Sequence, residues 1–474
     1  MLMKYKFEIK HLIFAFVFFL LMVSCKRDHT VSAVKDDNLL LNIKKRGKII
    51  ATTNYNSVDY FIYKGLPMGF QLDLLKAFSK HIGVKLEFII TNDLASNMSL
   101  LALGKCDIIA HNITITRNRK TLVNFSSPIT QTRQVLVQRN PYKLQDACIK
   151  KTLLIRNILN LSGKTVHVQK NSVHYDRLIN IQNEIGDSIH IVVVDTMETE
   201  QLMELVANGT IDYTIADENF AQVNKSYYKN LDVQTPVSFQ QNLAWAVRKE
   251  SDSLLVTLNN WIREYKQTKE FQNIYDTYFR NPRSVKIVQS EFYSIKGGKI
   301  SRYDKEIKLH SKLIGWDWRL LASLIYQESQ FHPELTGWSG AFGIMQMMPQ
   351  TARKFGVTSK SPVSAQIKAG VRLKMAIDNF LPKEIINPEE RIKFILASYN
   401  AGVYHVIDAR NLARKYGKDP NTWTDNVDHY MKLKSRPKYY NDPVVKYGYS
   451  RGYETYQFVV EVLDRYNHYK NIVK

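Results

Sequence analysis

Cysteine is scarce in this sequence, with three residues among 474, at positions 25, 106 and 148. Two cysteines outside the N-terminal segment do not make a disulfide framework, so a disulfide-stapled scaffold is excluded. Whether Cys106 and Cys148 pair with each other is left open. Long hydrophobic runs are also missing, because the apolar run at residues 12–23 is too short for a comfortable transmembrane helix. There is no low-complexity tract and no repeat of solenoid period.

Acidic residues are fewer than basic ones, 44 against 66, which gives a formal net charge of +22. The sequence has no nucleic-acid-binding motif, so we predict no nucleic-acid partner. The positive charge instead favours contact with anionic phospholipid, lipopolysaccharide or peptidoglycan carboxylates. The histidines of the C-terminal half do not have the spacing of zinc ligands. We therefore predict neither a metal ion nor a cofactor.

The N-terminal segment has the pattern of a secretory signal, because Lys4, Lys6 and Lys10 precede the apolar run. The letters LMVSC at residues 21–25 resemble a bacterial lipobox. That resemblance implies a lipidated Cys25 at the start of the mature protein, and Lys26 after it points to the outer membrane. We expect a signal peptide at 1–25, a tether at 26–38, and a lipid-anchored, periplasm-facing protein of a Gram-negative-type envelope. The alternative is a plain cleaved signal with an incidental cysteine.

The length of the chain indicates two or three domains. Residues 39–282 alternate between strand and helix patterns, which is typical of an α/β domain with a mostly parallel sheet. A second run of the same pattern begins near residue 163 and predicts two α/β lobes. Because ligands bind at the carboxyl ends of strands in such sheets, we expect a cleft between the lobes. The predicted strands lie at 48–52, 84–90, 106–110, 164–169, 189–194 and 211–216, and the predicted helices at 69–82, 173–185, 198–208 and within 252–279.

Two stretches of this domain, PMGFQLDL at 67–74 and TITRNR at 114–119, resemble family 3 periplasmic solute-binding proteins. The resemblance implies that Arg119 binds a ligand carboxylate, a bidentate contact that lysine cannot copy. It also implies that Asp217 holds an amino group and that Ser172 belongs to the loop of the second lobe. The expected ligand is an amino acid or a muropeptide. The alternative is that these residues are relics in a structural or regulatory module.

A break between domains is predicted at 283–300, where periodicity fades and glycines occur at 297 and 298. Residues 301–474 form a mainly α domain. Helices are predicted at 303–314, 316–330, 351–355, 365–380 and 455–466. A further helix begins after Asn387, with Pro388 at its first position and Glu390 completing a capping box, and ends near Gly402.

The helix at 316–330 carries the main candidate catalytic residue. Asp317 can serve as its N-cap, and the apolar positions 321, 324 and 325 share one face with Glu328. Desolvation on that face favours the protonated carboxyl group, which general-acid cleavage of a glycosidic bond requires. The alternative is a carboxylate at the end of a core helix, paired with an arginine or a lysine.

Three motifs favour the catalytic interpretation: ES at 328–329, GAFGIMQMMP at 340–349 and ASYNAG at 397–402. Their order and spacing resemble the Slt-type, family 1 lytic transglycosylases, which cleave the glycan strands of peptidoglycan. The resemblance implies a lysozyme-like fold with Glu328 as catalytic acid and base. The substrate-binding residues it implies are Ser329, Met345, Gln346, Tyr399 and Asn400.

The motifs supply one carboxylate, whereas a glycoside hydrolase normally needs two. In the family, a single glutamate protonates the bridging oxygen and then takes a proton from the C6 hydroxyl group, which gives a 1,6-anhydroMurNAc end without water. Asp317 and Glu334 are near in sequence but lie outside the motifs. We therefore expect a peptidoglycan lytic transglycosylase. The alternative function is a solute-binding lipoprotein of amino-acid uptake whose second domain only binds peptidoglycan.

Overall fold

The computed structural model describes residues 38–140, 153–281 and 287–472. The signal peptide, Cys25, almost all of the tether and Cys148 lie outside these ranges. Cys106 is a free, buried cysteine. None of the helices within the described ranges is both long and apolar enough to cross a membrane.

The strands belong to the first domain and form two larger sheets and one hairpin. They are β1 (Lys48–Thr53), β2 (Phe61–Tyr63), β3 (Leu66–Met68), β4 (Lys85–Ile90), β5 (Ile108–Thr114), β6 (Asn124–Phe125), β7 (Thr130–Thr132), β8 (Gln134–Arg139), β9 (Thr165–Gln169), β10 (His190–Val194), β11 (Tyr213–Asp217), β12 (Leu231–Pro236) and β13 (Gln241–Val247).

The helices of the first domain cover the faces of these sheets. They are α1 (Leu39–Arg46), α2 (Phe70–Ile82), α3 (Leu94–Ala102), α4 (Arg117–Leu122), α5 (Val173–Ile185), α6 (Thr199–Asn208), α7 (Glu218–Tyr227), α8 (Asp252–Tyr265) and α9 (Lys269–Phe279). The predicted alternation of strands and helices is confirmed, with shifts of a few residues at the boundaries.

Each sheet forms one lobe, in the strand orders β4-β1-β5-β13-β6 and β10-β9-β11-β8-β12. The prediction of a mostly parallel sheet is only partly right. Strand β1 is parallel to β4 and β5, but β13 is antiparallel to β5, and β8 is antiparallel to β11. The chain crosses between the lobes twice, from β7 to β8 and from β12 to β13. Strands β8 and β13 follow these crossings. Each is antiparallel to the parallel strands of the sheet that it enters.

The second domain is helical, as predicted. A short helix, α10 (Ser294–Gly297), lies within the predicted break between the domains. The helices of the second domain are α11 (Asp304–Ser311), α12 (Trp318–Ser329), α13 (Pro349–Lys354), α14 (Val363–Phe380), α15 (Pro388–Ala401), α16 (Val403–Lys415), α17 (Asp428–Leu433), α18 (Pro437–Tyr440) and α19 (Gly452–Ile472).

One detail of helix α15 differs from its prediction. The Asn387 side chain caps the helix by accepting from the Glu389 and Glu390 amides. Glu390 does not reach back to complete a capping box, because its carboxylate accepts instead from the backbone amides of Trp423 and Thr424, at 2.7 and 3.0 Å. The glutamate thus anchors a distant loop rather than its own helix end.

The hairpin formed by β2 and β3 joins the first domain to the second. The Tyr469 hydroxyl group in α19 donates a 2.7 Å hydrogen bond to the Gly65 carbonyl oxygen at the hairpin turn. The Tyr60 hydroxyl group lies 2.7 Å from His468 Nδ1. Ile62 of the hairpin is buried in the apolar cluster of the second domain. The two domains therefore share a packed, hydrogen-bonded contact.

Candidate active site

Helix α12 places Glu328 in its last turn. The Asp317 carboxylate caps the first turn by accepting from the Arg319 amide at 2.9 Å, as predicted. The apolar positions 321, 324 and 325 are fully buried and hold one face of the helix in the core. The helix ends at Ser329, and the next residue, Gln330, adopts a positive φ of 50°, so the chain turns away immediately after the ES motif.

Glu328 is half-buried as a residue, and its carboxyl group is closely surrounded by protein atoms. This desolvation raises its pKa from the usual 4.5 to about 8, and the nearby Lys374 ammonium group opposes the rise. Among the described residues, Lys374 is the only charged group that shifts this pKa. Glu328 is therefore mainly protonated at neutral pH, and no second carboxylate among the residues that the structure describes acts on it.

The GAFGIMQMMP loop is fixed by hydrogen bonds to two helices. The Ser329 hydroxyl group donates to the Ile344 carbonyl oxygen at 2.8 Å. The Gln366 side chain of α14 accepts from the Ile344 amide at 3.0 Å. Gly343 has a φ of 79°, and a Cβ atom there would lie 2.1 Å from the Gln366 side chain, so the loop passes where only glycine fits.

The ASYNAG motif lies against the same loop. The Tyr399 hydroxyl group donates a 2.6 Å hydrogen bond to the Met345 carbonyl oxygen. Asn400, one residue later, accepts from the Thr455 hydroxyl group at the start of α19, at 2.8 Å. Burial and the Glu328 carboxylate raise the pKa of Tyr399 well above its usual value, so its hydroxyl group stays protonated. The third motif thus contacts the second and lies within electrostatic reach of the first.

The predicted substrate-binding residues differ in exposure. Gln346 and Tyr399 are partly exposed and Asn400 is exposed, so all three can meet a substrate. Ser329 and Met345 are buried, at 2% and 1% exposure. These two side chains support the loop from inside. Direct contact of Ser329 and Met345 with a glycan stays a prediction, and the burial of both side chains argues against it.

Sequence reasoning missed two residues of this site, Lys374 and Gln366. Lys374 is fully buried in α14, and its Nζ atom lies 4.1 Å from the centre of the Tyr399 ring. A signal was present, because position 374 continues the apolar stripe of Ile367 and Val371 along the helix. A lysine on a buried stripe is unusual enough to mark a candidate site residue.

The first domain contains a separate cleft of about 760 Å³ between its lobes. Arg119 lines it from the first lobe, and Ser172 and Asp176 line it from the second. Arg119 Nη1 donates to the Thr114 carbonyl oxygen at 3.2 Å. Burial lowers the pKa of the Arg119 guanidinium group, while Asp176 and Asp217 act in the opposite direction. The predicted carboxylate-binding arginine therefore faces a cavity large enough for a small ligand.

Asp217 is not part of the cleft lining, although it lies close enough to influence Arg119. Its Oδ1 atom is 3.7 Å from His174 Nε2, and that oxygen and both ring nitrogens of His174 are buried with no hydrogen-bond partner in the described structure. The unsatisfied polar atoms of Asp217 and His174 are suited to a polar ligand.

Asn171 occupies the loop position where the resemblance expects glycine. It adopts a φ of 58°, a conformation that asparagine tolerates.

Metal-binding geometry is not found in the described ranges, which contain no group of three or more histidine, cysteine, aspartate or glutamate side chains placed to hold an ion.

Two protein families match this chain. The family described as bacterial extracellular solute-binding proteins, family 3, matches residues 48–281, and the transglycosylase SLT domain matches residues 307–422. A solved structure similar to the first domain is the ancestral amino acid-binding protein AncCDT-1, a precursor of cyclohexadienyl dehydratase. It is 25% identical, covers 51% of this chain and 99% of its own, and has a TM-score of 0.43.

Curated relatives match nearly the whole chain. A protein of Desulfosudis oleivorans named membrane-bound lytic murein transglycosylase F is 34% identical over 433 residues, which are 90% of this chain and 91% of the relative. A protein of the same name from Saccharophagus degradans is 30% identical over 425 residues, 89% of this chain and 82% of the relative.

The fold and the two family matches define a class, a two-lobed solute-binding domain fused to an SLT transglycosylase domain. Within that class, the chain belongs to the family of membrane-bound lytic murein transglycosylase F.

Proposed function

We propose that Glu328 of this peptidoglycan lytic transglycosylase acts first as acid and then as base. The SLT match and the relatives' names support this enzyme class and a place in the cell envelope. The observation that carries the assignment to Glu328 is its raised pKa of about 8 at the point where the three motifs meet. A carboxyl group that keeps its proton at neutral pH can donate it to a leaving oxygen.

In the proposed reaction, the Glu328 carboxyl proton moves to the oxygen that bridges MurNAc and GlcNAc, and the bond from MurNAc C1 to that oxygen breaks. The C6 hydroxyl oxygen of the same MurNAc then bonds to C1, and its proton returns to the Glu328 carboxylate. The products are a GlcNAc end and a 1,6-anhydroMurNAc end, with no water consumed. The absence of a second carboxylate acting on Glu328 within the described residues supports this route over hydrolysis.

Digestion of purified sacculi followed by mass spectrometry of the released fragments tests the proposal. The wild-type protein should release anhydro-muropeptides, and Glu328→Gln should lower the release by about 10²- to 10⁴-fold, the usual contribution of a general acid or base. Glu334→Gln is the matched control, because this exposed glutamate is near Glu328 in sequence and is a candidate base if the enzyme were a hydrolase. Reducing-end products that require Glu334 would overturn the proposal.

The same experiment addresses the alternative function, a solute-binding lipoprotein that binds peptidoglycan without cleaving it. Such a binder would pellet with sacculi and release no fragments. A pure binder also has no need of a desolvated acid beside Tyr399, which is why the geometry favours the enzyme.

We infer that the first domain binds an amino acid or muropeptide and modulates the second. The cleft with Arg119 supports the binding site. Coupling is supported by the hairpin turn, because a Cβ atom on Gly65 would lie 2.8 Å from side-chain atoms of Tyr326 and Phe331, which flank Glu328 in sequence. The first domain therefore contacts the region that carries the candidate acid.

Isothermal titration with defined muropeptides and amino acids tests this regulatory role, together with cleavage rates at each ligand concentration. Arg119→Ala should abolish both binding and the change in rate, whereas Lys120→Ala, an exposed residue of the same helix outside the cleft lining, should leave both unchanged. Cleavage that is unchanged by every ligand, in wild type and in Arg119→Ala alike, would refute regulation.

We further propose that Cys25 carries a lipid anchor that holds the protein at the periplasmic face of the outer membrane. The support is the sequence LMVSC at 21–25 with Lys26 after it. Metabolic labelling with palmitate and membrane fractionation test the anchor. Label retained in Cys25→Ala would contradict it.

A further inference from the structure

Three aromatic side chains form a cluster at the surface of the second domain, outside the three motifs of the candidate active site. Phe380 ends α14, Tyr404 lies in the first turn of α16, and Tyr447 lies in the loop before α19. The rings of Tyr404 and Tyr447 stack with their centres 4.5 Å apart, and the Phe380 ring packs edge-on against Tyr404 at 5.4 Å. About half of each residue is exposed, 51%, 47% and 48% respectively. These three rings, called the aromatic platform below, therefore present an apolar face to solvent.

A fully buried ion pair holds the loop that carries Tyr447. Lys434 Nζ donates to the Asp408 carboxylate at 2.7 Å, and the two side chains are 0% and 1% exposed. The same carboxylate accepts from the backbone amides of Lys446 and Tyr447, at 2.8 and 2.9 Å. The backbone on which the Tyr447 ring stands is therefore fixed from inside the domain.

The first turn of α16 is attached to the same ion pair. Lys434 Nζ lies 2.8 Å from Nδ1 of His405, the residue after Tyr404. Taking two charges out of water costs several kcal/mol, so a buried ion pair adds little net stability. Its effect here is geometric, because it fixes the loop before α19 against the first turn of α16. Buried groups thus hold the two stacked rings in place.

The aromatic platform continues the candidate active site along the chain. Helix α16 begins where α15 ends, so Tyr404 follows Tyr399 of the third motif by five residues. The loop that carries Tyr447 runs on into α19, where the Thr455 hydroxyl group donates to the Asn400 side chain of the same motif at 2.8 Å. Both segments of the platform are therefore connected directly to the third motif.

We propose that the aromatic platform is a second glycan-binding site, which holds the peptidoglycan strand outside the cleavage site. One face of a pyranose ring consists of C–H groups, and stacking on an aromatic ring removes that face from water. Lys446, which precedes Tyr447, is exposed, and its charge suits the carboxylates of the stem peptides. A strand bound at both sites is held more tightly than a strand bound at one. The inference rests on the peptidoglycan substrate of the family and not on the role of Glu328.

Co-sedimentation of the full chain with sacculi tests the platform, in a time too short for fragments to be released. Tyr404→Ala and Tyr447→Ala should each weaken binding by about 2- to 10-fold, the range that one aromatic contact supplies. Tyr404→Phe keeps the ring and should bind nearly like wild type. The matched control is Phe239→Ala, because Phe239 is 92% exposed but lies in the first domain. This control should bind sacculi like wild type, and an equal loss in it would overturn the proposal.

Cleavage of substrates of two lengths separates the platform from the cleavage site. On the shortest glycan fragment that the enzyme cleaves, Tyr404→Ala and Tyr447→Ala should have the kcat/KM of wild type, because such a fragment occupies only the cleavage site. On sacculi, the rate at low substrate concentration should fall in step with the loss of binding. An equal loss on both substrates would place the rings in the cleavage site and overturn the proposal.

Two other roles of the rings predict different results. Rings that only shield the buried ion pair from water would lower the melting temperature when removed and leave sacculus binding of the folded protein unchanged. A surface for another protein would leave both unchanged, and either result overturns the proposal. If circular dichroism shows that Tyr447→Ala does not fold, Phe380→Ala at the end of α14 takes its place. Weaker sacculus binding with wild-type activity on the short fragment supports the platform, whether or not Glu328→Gln abolishes cleavage.

Discussion

The Tyr399 hydroxyl group donates a 2.6 Å hydrogen bond to the Met345 backbone carbonyl oxygen. This bond joins two motifs that are 54 residues apart in sequence. It also places the Tyr399 ring beneath the Lys374 ammonium group. One side chain therefore connects the loop of the second motif with the buried Lys374.

Tyr399→Phe should destabilise the protein and weaken cleavage. The substitution leaves the Met345 carbonyl oxygen without its donor, which costs about 1–3 kcal/mol when the acceptor is buried. Thermal unfolding and release of anhydro-muropeptides measure the two effects. Tyr404→Phe is the control, because Tyr404 is exposed and its ring stacks on Tyr447. Equal melting temperatures for Tyr399→Phe and Tyr404→Phe would contradict the role of this bond.

Gly65→Ala should disrupt the contact between the domains. Gly65 has a φ of 81°, and an added Cβ atom would lie 2.8 Å from atoms of Tyr326, Phe331 and Tyr469. Gly47→Ala controls for the backbone alone, since Gly47 has a φ of 71° with open space around it. The control should cost about 1–2 kcal/mol from the left-handed conformation. Gly65→Ala should cost more in chemical denaturation and should also change the rate of glycan cleavage.

Trp338→Ala should weaken binding to glycan strands without affecting stability. Trp338 is 89% exposed, and the Arg451 guanidinium group lies 5.4 Å from the centre of its ring. Its neighbour Gly337 lies beside the Gln346 side chain of the second motif. An exposed aromatic ring at this place offers a face to a sugar. The unfolding free energy should change by less than about 0.5 kcal/mol.

Co-sedimentation with sacculi measures the effect of Trp338→Ala, and several-fold weaker binding is expected. Phe239→Ala is the matched control, because Phe239 is 92% exposed but belongs to the first domain. The same loss of binding in both variants would show that exposed aromatic area, rather than the site, is responsible.

The stability of the protein should fall as pH rises through the titration of Asp59. This carboxyl group is buried, and desolvation raises its pKa to about 6, with the Asp217 charge adding to the rise. Between about pH 4 and pH 6 the folded state holds a proton that the unfolded state releases, so folding is favoured below this window and less favoured above it. The loss amounts to at most about 3 kcal/mol.

Unfolding free energies of wild type and Asp59→Asn at intervals from about pH 4 to pH 7 test this prediction. Asn56 donates to the Asp59 carboxyl group at 2.8 Å, so the substitution will change the absolute stability as well. The informative quantity is the slope, which should be flatter in Asp59→Asn. Parallel slopes would contradict the assignment.

Local features of the fold could be predicted from the sequence because they depend on neighbouring residues. The Asp317 cap and the apolar positions after it define helix α12, and the structure confirms both. Strand direction is different, since periodicity is the same for parallel and antiparallel strands. The antiparallel placement of β8 and β13 therefore became known only from the structure.

The site was predictable only as far as the motifs reach. Glu328, Gln346 and Tyr399 lie in recognisable sequence motifs, whereas Lys374 lies outside all of them. Whether a lysine on an apolar stripe extends to solvent or stays buried is decided by packing, here by α15 closing over α14. The contact of Gly65 with Tyr469 spans 404 residues and leaves no local pattern.

Cleavage of sacculi in water enriched with ¹⁸O tests the central claim most directly, because ring closure by the C6 hydroxyl group consumes no water. The proposed mechanism predicts fragments with anhydroMurNAc ends that contain no ¹⁸O, and loss of these fragments in Glu328→Gln. Fragments with reducing MurNAc ends that carry ¹⁸O at C1 would show hydrolysis and contradict the mechanism.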